Sequence, residues 1–62
     1  MLVSGRIVNV GETLDCVYNG KLRNVKVEEF RSPKEGASNV MVVWDNGVNG
    51  YRQFDVTKVA FV

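Results

Sequence analysis

The sequence predicts an all-β fold in which short strands curl into one small five-stranded barrel. The 62 residues contain no window whose apolar residues recur with the period of a helix. Valine, a β-branched residue that favours strands, recurs along the predicted strands. Glycine and asparagine separate the apolar segments, as they do at tight turns. A chain of this length has room for one domain, residues 1–62, and can bury an apolar face only if its sheet curls.

The amino-terminal half of the chain predicts three strands. They span residues 3–10, 14–18 and 22–30. Gly5 lies inside the first strand, and a turn follows it at residues 11–13. Asn19-Gly20 is a strong hairpin signal, because both central residues of a type I′ turn need a positive φ. In the third strand Val25 and Val27 share one face, whereas Leu22 and Phe30 have the opposite parity, so a bulge or bend is expected between them.

The carboxyl-terminal half predicts a loop followed by three more segments. Residues 31–38 contain the only proline and no apolar periodicity, so they form the main surface loop. The strand at 39–45 has five apolar residues in succession, which is typical of a central strand covered on both faces. Two Asn-Gly steps lead to a strand at 51–55. A turn at 56–58, which as a 3₁₀ turn would fit an SH3-like barrel, precedes the last strand at 59–62, so we expect an SH3-like or Sm-like barrel.

Composition excludes several classes of function. Histidine, the commonest general base and metal ligand, is absent, and no serine has an evident base partner, so we expect no enzymatic activity. The lone Cys16 shares a strand face with Leu14 and Tyr18, which predicts a buried, inert thiol. We expect no membrane span or signal peptide, and a cytoplasmic location. A net charge of +1 does not favour strong sequence-independent binding to nucleic acid.

Arg52 is the most informative residue, because it has the strand parity of Phe54 and Val56 and should face the core. Two interpretations have equal weight. Arg52 could bind an anion beside the glycine-rich turn, whose backbone amides could also contact a phosphate or carboxylate. It could instead pair with Asp45, Asp55 or Glu28 while its stem covers apolar surface.

The turn at residues 45–50 does not predict a cofactor. It resembles a calcium loop at its first, fifth and sixth positions, but Gly47 and Val56 stand where such a loop needs oxygen ligands. We therefore expect no metal and no cofactor. Trp44 and Tyr51 flank this turn and could stack on a base or a partner at the barrel rim, although a core position is the more frequent one for Trp44.

Three segments resemble the WYL domain, a small SH3-like β-barrel of bacterial and phage-associated transcriptional regulators. They are residues 18–23 with Val25, residues 42–45 and residues 51–59, and the similarity covers roughly residues 14 to 59. The Trp-Tyr-Leu tripeptide itself is absent. The resemblance implies that Arg52 contacts a ligand or nucleic acid, with Arg23 as a second basic contact and Lys58 as a weaker one.

Two functions follow as hypotheses. The first is a stand-alone regulatory module that binds a nucleotide, an oligonucleotide or nucleic acid through Arg52, the glycine-rich turn and nearby aromatic residues. The second is a small phage-type interaction or assembly module, in which an exposed β edge recruits a protein partner or a second copy of the chain. The apolar segments at residues 1–3 and 59–62 motivate the second hypothesis.

Overall fold

The computed structural model describes all 62 residues and shows an all-β fold. The elements are β1 (Leu2–Val3), β2 (Arg6–Ile7), β3 (Thr13–Tyr18), β4 (Lys21–Arg31), β5 (Val40–Asp45), β6 (Gly50–Asp55), a 3₁₀ helix (Val56–Lys58) and β7 (Val59–Ala60). No helix in the structure has the length and apolar character required to cross a membrane. Five strands form one antiparallel sheet in the order β6-β5-β4-β3-β7, and β1 pairs with β2 alone.

The predicted first strand is wrong, because the chain reverses inside it. Ser4 and Gly5 both have a positive φ, at 46° and 84°, and they connect β1 to β2 as a short hairpin. The Ser4 hydroxyl donates a hydrogen bond to the Val59 carbonyl, which ties this turn to β7. The hairpin buries Val3 and Val8 in the core. Gly5 therefore marks a turn, since glycine adopts a positive φ without a steric penalty.

The local turn and bulge predictions are confirmed. Asn19 and Gly20 have φ values of 51° and 77°, as a two-residue hairpin between β3 and β4 requires. The register of β4 against β5 shifts between Val27 and Glu29, which is the expected bulge. The Val27 backbone is also hydrogen-bonded to Gly11 and Glu12, so the bulge anchors the turn that precedes β3.

The core lies on one face of the five-stranded sheet. It contains Val3, Val8, Leu14, Cys16, Val25, Val27, Met41, Val43, Phe54 and Val59. Cys16 is buried as predicted, and burial raises the pKa of its thiol. β5 is central, but the expected cover on both its faces is wrong, because Val40, Val42 and Trp44 are only partly buried. The buried residues of β5 alternate with these three, so only its inner face packs against the core.

The sheet is strongly curled. β6 and β7 are at opposite edges of the sheet, yet only the 3₁₀ helix separates them in the chain. Four residue steps span at most about 14 Å, whereas four strand spacings in a flat sheet cover about 19 Å. Tyr18 of β3 also reaches β6, where its hydroxyl accepts a hydrogen bond from the Asp55 amide at 3.0 Å. No backbone ladder joins β6 to β7, so hydrogen bonds do not close this sheet into a barrel.

Candidate functional site

A buried carboxylate organises the end of the sheet beside the turn between β5 and β6. Asp45, the last residue of β5, alternates with Met41 and Val43 and is 0% exposed. Its two oxygens accept hydrogen bonds from the Gly47 amide at 2.8 Å and from two arginines. Asp45 thus has the full set of partners that a buried carboxylate needs.

These partners keep Asp45 ionised. Burial raises the pKa of the carboxyl, but the hydrogen bonds from Arg23, the Gly47 amide and Arg52 outweigh it, and the net pKa lies below its usual value. One negative charge is therefore held at the inner face between two positive charges. The contact with Asp45 explains why Arg52 stands on the core face of its strand. Asp45 is also the one of its three predicted acidic partners that Arg52 contacts.

The two arginines hold Asp45 in different ways. Arg23 donates from Nε at 3.0 Å and from Nη2 at 3.2 Å, and its side chain is 17% exposed. Arg52 donates only from Nη1, at 3.2 Å, and its side chain is 38% exposed. The guanidinium carbon of Arg52 also lies 5.2 Å from the centre of the Phe54 ring. Arg23 is thus mainly a structural partner, whereas Arg52 keeps N–H groups free for another ligand.

The basic mouth is the group formed by Arg23, Asp45 and Arg52, whose side chains are joined by hydrogen bonds. Lys21 shares the inner face of β4 with Arg23, and it is exposed and forms no salt bridge. It is four residues, about 13 Å, along β4 from Val25, the residue paired with Asp45, so it lies outside the mouth.

The remaining predicted site residues lie elsewhere. Trp44 and Tyr51 pair across β5 and β6 and pack edge to face, with ring centres 5.0 Å apart, but alternation places them on the outer face. Lys58 is in the 3₁₀ helix beyond the far end of β6, about 17 Å along the strand from the mouth. The structure brings together Arg23 and Arg52 and separates them from the other three.

Because Gly47 has no side chain, the Arg23 guanidinium can occupy the space beside it. A Cβ at position 47 would overlap Arg23 Nη2 and lie 3.2 Å from Asp45 Oδ1. We expect Gly47→Ala to displace Arg23 from Asp45 and to lower the free energy of unfolding by about 1–3 kcal/mol, measured by urea denaturation. Gly50→Ala is the matched control, since the nearest atom to its Cβ would be the Val48 carbonyl oxygen at 3.9 Å. Equal stability of the two variants would contradict the displacement of Arg23.

Comparison with known proteins yields no relative. No family model matches the chain, and neither a curated protein nor a solved structure is significantly similar to it. In the structure, no group of three or more His, Cys, Asp or Glu side chains is placed to hold a metal ion. Inferences about function therefore depend on the geometry of the basic mouth.

Proposed function

We propose that this protein is a non-enzymatic binding module that holds a phosphate-bearing ligand, namely a nucleotide, an oligonucleotide or nucleic acid, at the basic mouth. The observation that carries the proposal is the state of Arg52. Its guanidinium is fixed by Asp45 and by the Phe54 ring, but it donates only one hydrogen bond and is partly exposed. A preorganised, partly unsatisfied guanidinium suits phosphate oxygens, which accept paired N–H donors.

Local charge supports a ligand of this class. Arg23 and Arg52 outnumber the single carboxylate of Asp45. Asp15, on the neighbouring strand β3, has the opposite parity and accepts a hydrogen bond from Asn24 instead. The excess of positive charge is therefore local to the mouth, although the whole chain has a net charge of only +1. A local field of this kind attracts anions to one place on the surface.

The fold class that we propose with this function is an SH3-like barrel, the architecture of the WYL domain. Two features support it. A 3₁₀ helix directly precedes the last strand, and the short link between β6 and β7 forces the edges of the sheet toward each other. In such a barrel the basic mouth would lie at one open end, where a ligand can approach without entering the core.

The test is the loss of binding when Arg52 is replaced. We expect Arg52→Gln to weaken binding of a 5′-phosphorylated single-stranded oligonucleotide by about 10-fold or more, because one charge-assisted contact is removed. The readout is fluorescence anisotropy at low ionic strength. The free energy of unfolding should fall by about 1 kcal/mol or less, because Asp45 keeps its bonds to Arg23 and the Gly47 amide.

Arg31→Gln is the matched control for charge. Arg31 lies at the end of β4 remote from the mouth and pairs with Glu29, and its side chain is 58% exposed. Equal losses of affinity in the two variants would show nonspecific attraction, and no binding by the wild-type protein would refute the proposal.

The edge of β6 favours assembly as a second candidate function. The Asp55 amide points away from β5, toward Tyr18, so alternation also directs the backbone groups of Tyr51 and Gln53 away from the ladder. These groups have no hydrogen-bond partner in the structure and could receive a strand from a partner or a second copy. A molar mass in light scattering that rises with protein concentration would favour self-assembly.

A further inference from the structure

We infer that Asn19 is a site of covalent modification, where the side-chain amide is lost by spontaneous deamidation, and that the fold protects the other two Asn-Gly steps. The three steps are Asn19-Gly20, Asn46-Gly47 and Asn49-Gly50. All three favour the reaction, because glycine has no side chain to obstruct attack by its own backbone nitrogen. The surroundings of each step in the fold therefore decide which one reacts first.

The reaction needs only the chain and water. The backbone nitrogen of Gly20 loses its proton and forms a bond to Cγ of Asn19. The bond from Cγ to Nδ2 then breaks, ammonia leaves, and a cyclic imide remains. Water opens this ring at either of its carbonyl groups and gives aspartate or isoaspartate. The step is fastest where the backbone amide has no acceptor and the side chain is free to turn toward it.

The Asn19-Gly20 step meets both conditions. Its residues form the exposed turn between β3 and β4, where the Gly20 amide donates no hydrogen bond and the Asn19 side chain forms none. The positive φ values of the closed turn restrict the approach of the two groups, so the reaction proceeds when the tip opens. Only the pair Tyr18 and Lys21 closes this tip, and a hairpin end of this kind opens locally at little cost.

The Asn46-Gly47 step is held at both reacting groups. The Gly47 amide donates to Asp45 Oδ1 at 2.8 Å, and Nδ2 of Asn46 donates to Asn24 Oδ1 at 2.7 Å. The Asn46 amide also donates to the Asn24 carbonyl at 2.9 Å. Opening this step removes a partner from the buried Asp45 carboxylate, so it should be the slowest of the three to react.

The Asn49-Gly50 step is held at one group. Gly50 begins β6 and pairs with Asp45. Because the Asp55 amide points away from β5, alternation directs the Gly50 amide toward β5 and into the ladder. The Asn49 side chain forms no hydrogen bond, so this step should react at a rate between those of the other two.

Deamidation of Asn19 changes both the charge and the turn. The new carboxylate lowers the net charge of the chain, which is +1, by one unit. Isoaspartate also lengthens the backbone of the turn by one atom and so disturbs the pairing of Tyr18 with Lys21. Tyr18 contacts the Phe54 ring and the Asp55 amide, so the isoaspartate form should unfold at a lower temperature than the wild-type protein.

The experiment follows the three sites in one sample of the wild-type protein. The protein is incubated in mildly alkaline buffer, and peptide fragment spectra measure the conversion of each asparagine. We expect Asn46 to react about 10-fold more slowly than Asn19, or slower still. A second sample in concentrated guanidinium chloride is the control, because the three Asn-Gly steps should react at similar rates once the fold is lost.

Asn24→Ala tests the protection of Asn46 directly. Asn24 is exposed, and the substitution removes the acceptor of Asn46 Nδ2 while the Gly47 amide keeps Asp45. We expect the rate at Asn46 to rise about 5-fold and the rate at Asn19 to stay unchanged. Gln53→Ala is the matched control, since it removes an exposed amide side chain that contacts no Asn-Gly step.

The result that would overturn the assignment is a folded protein in which Asn46 or Asn49 reacts as fast as Asn19. An Asn19 that stays intact in the folded protein and reacts in the unfolded one would overturn it as well. An unchanged rate at Asn46 in Asn24→Ala would refute the protection assigned to Asn24. None of these results bears on the proposed binding of a phosphate-bearing ligand, because neither Asn19 nor Gly20 belongs to the basic mouth.

Discussion

Replacing Asp45 with alanine is expected to remove most of the free energy of unfolding at 25 °C. The substitution removes the only negative charge between Arg23 and Arg52. The guanidinium groups of both arginines contact the Asp45 carboxylate. Removing one member of a buried ion pair costs about 3–5 kcal/mol, because the remaining charge is left uncompensated. A domain of this size without disulfides has a stability of only roughly 3–5 kcal/mol. Urea denaturation followed by the fluorescence of Trp44, the single tryptophan, measures the loss.

Asp15→Ala provides the control for the loss of a carboxylate. Asp15 is exposed on the other face of β3 and its side chain accepts a hydrogen bond only from Asn24. A surface substitution of this kind changes stability by about 0.5 kcal/mol or less. If Asp45→Ala were as stable as Asp15→Ala, the buried ion pair would not hold the turn between β5 and β6.

Acid adds a signature that a loss of packing would not produce. The pKa of Asp45 is lower in the folded protein than in the unfolded chain, so its contribution to stability is complete above about pH 4. As the pH falls through this value the unfolded chain binds the proton first, and the contribution is lost. Wild-type stability should decline in this range, and Asp45→Ala should lack that part of the decline. Hydrogen bonds from Thr57 also lower the pKa of Asp55. The decline in stability that Asp55 causes should therefore remain in both proteins.

Features encoded by neighbouring residues could be predicted from the sequence. The Asn19-Gly20 hairpin follows from the φ values that its two residues accept, and the bulge in β4 follows from the change of parity between Val27 and Phe30. The contact of Arg52 with an acidic side chain is one of the two interpretations that parity allows for a cation on the core face, and the structure shows this contact with Asp45. Each of these inferences needs only the alternation of side chains along one strand.

Features that depend on how distant strands meet could not be predicted in this way. The sequence predicts Gly5 inside a strand, since it does not show that β1 must turn back to bury Val3 and Val8. Trp44 is adjacent to Asp45 in sequence and Tyr51 to Arg52, but the one-residue offset places both aromatic side chains on the opposite face. Arg23 joins the site only because its side chain reaches Asp45 across the sheet.

Phe54→Ala is expected to destabilise the protein as strongly as the loss of Asp45, for a different reason. Phe54 is fully buried at the centre of the concave face, and truncation of a buried phenylalanine costs about 3–5 kcal/mol. Its ring stacks on Tyr18, which reaches from β3 to the Asp55 amide of β6. The substitution therefore removes both core volume and the support for the contact that draws β3 toward β6.

Tyr18→Phe isolates that second contribution. It keeps the stacked ring and removes only the hydroxyl, so the loss should be about 1 kcal/mol, and the fold should persist in circular dichroism. If Phe54→Ala lost no more stability than Tyr18→Phe, the core would not depend on Phe54. If Tyr18→Phe had no effect, the hydrogen bond between Tyr18 and Asp55 would not contribute to the curl of the sheet.

A loss of stability in both variants, several times larger for Phe54→Ala, means that packing supplies most of the stability and the hydrogen bond fixes the geometry. Because Arg52 lies against the same ring, the basic mouth then depends on this packing for its shape.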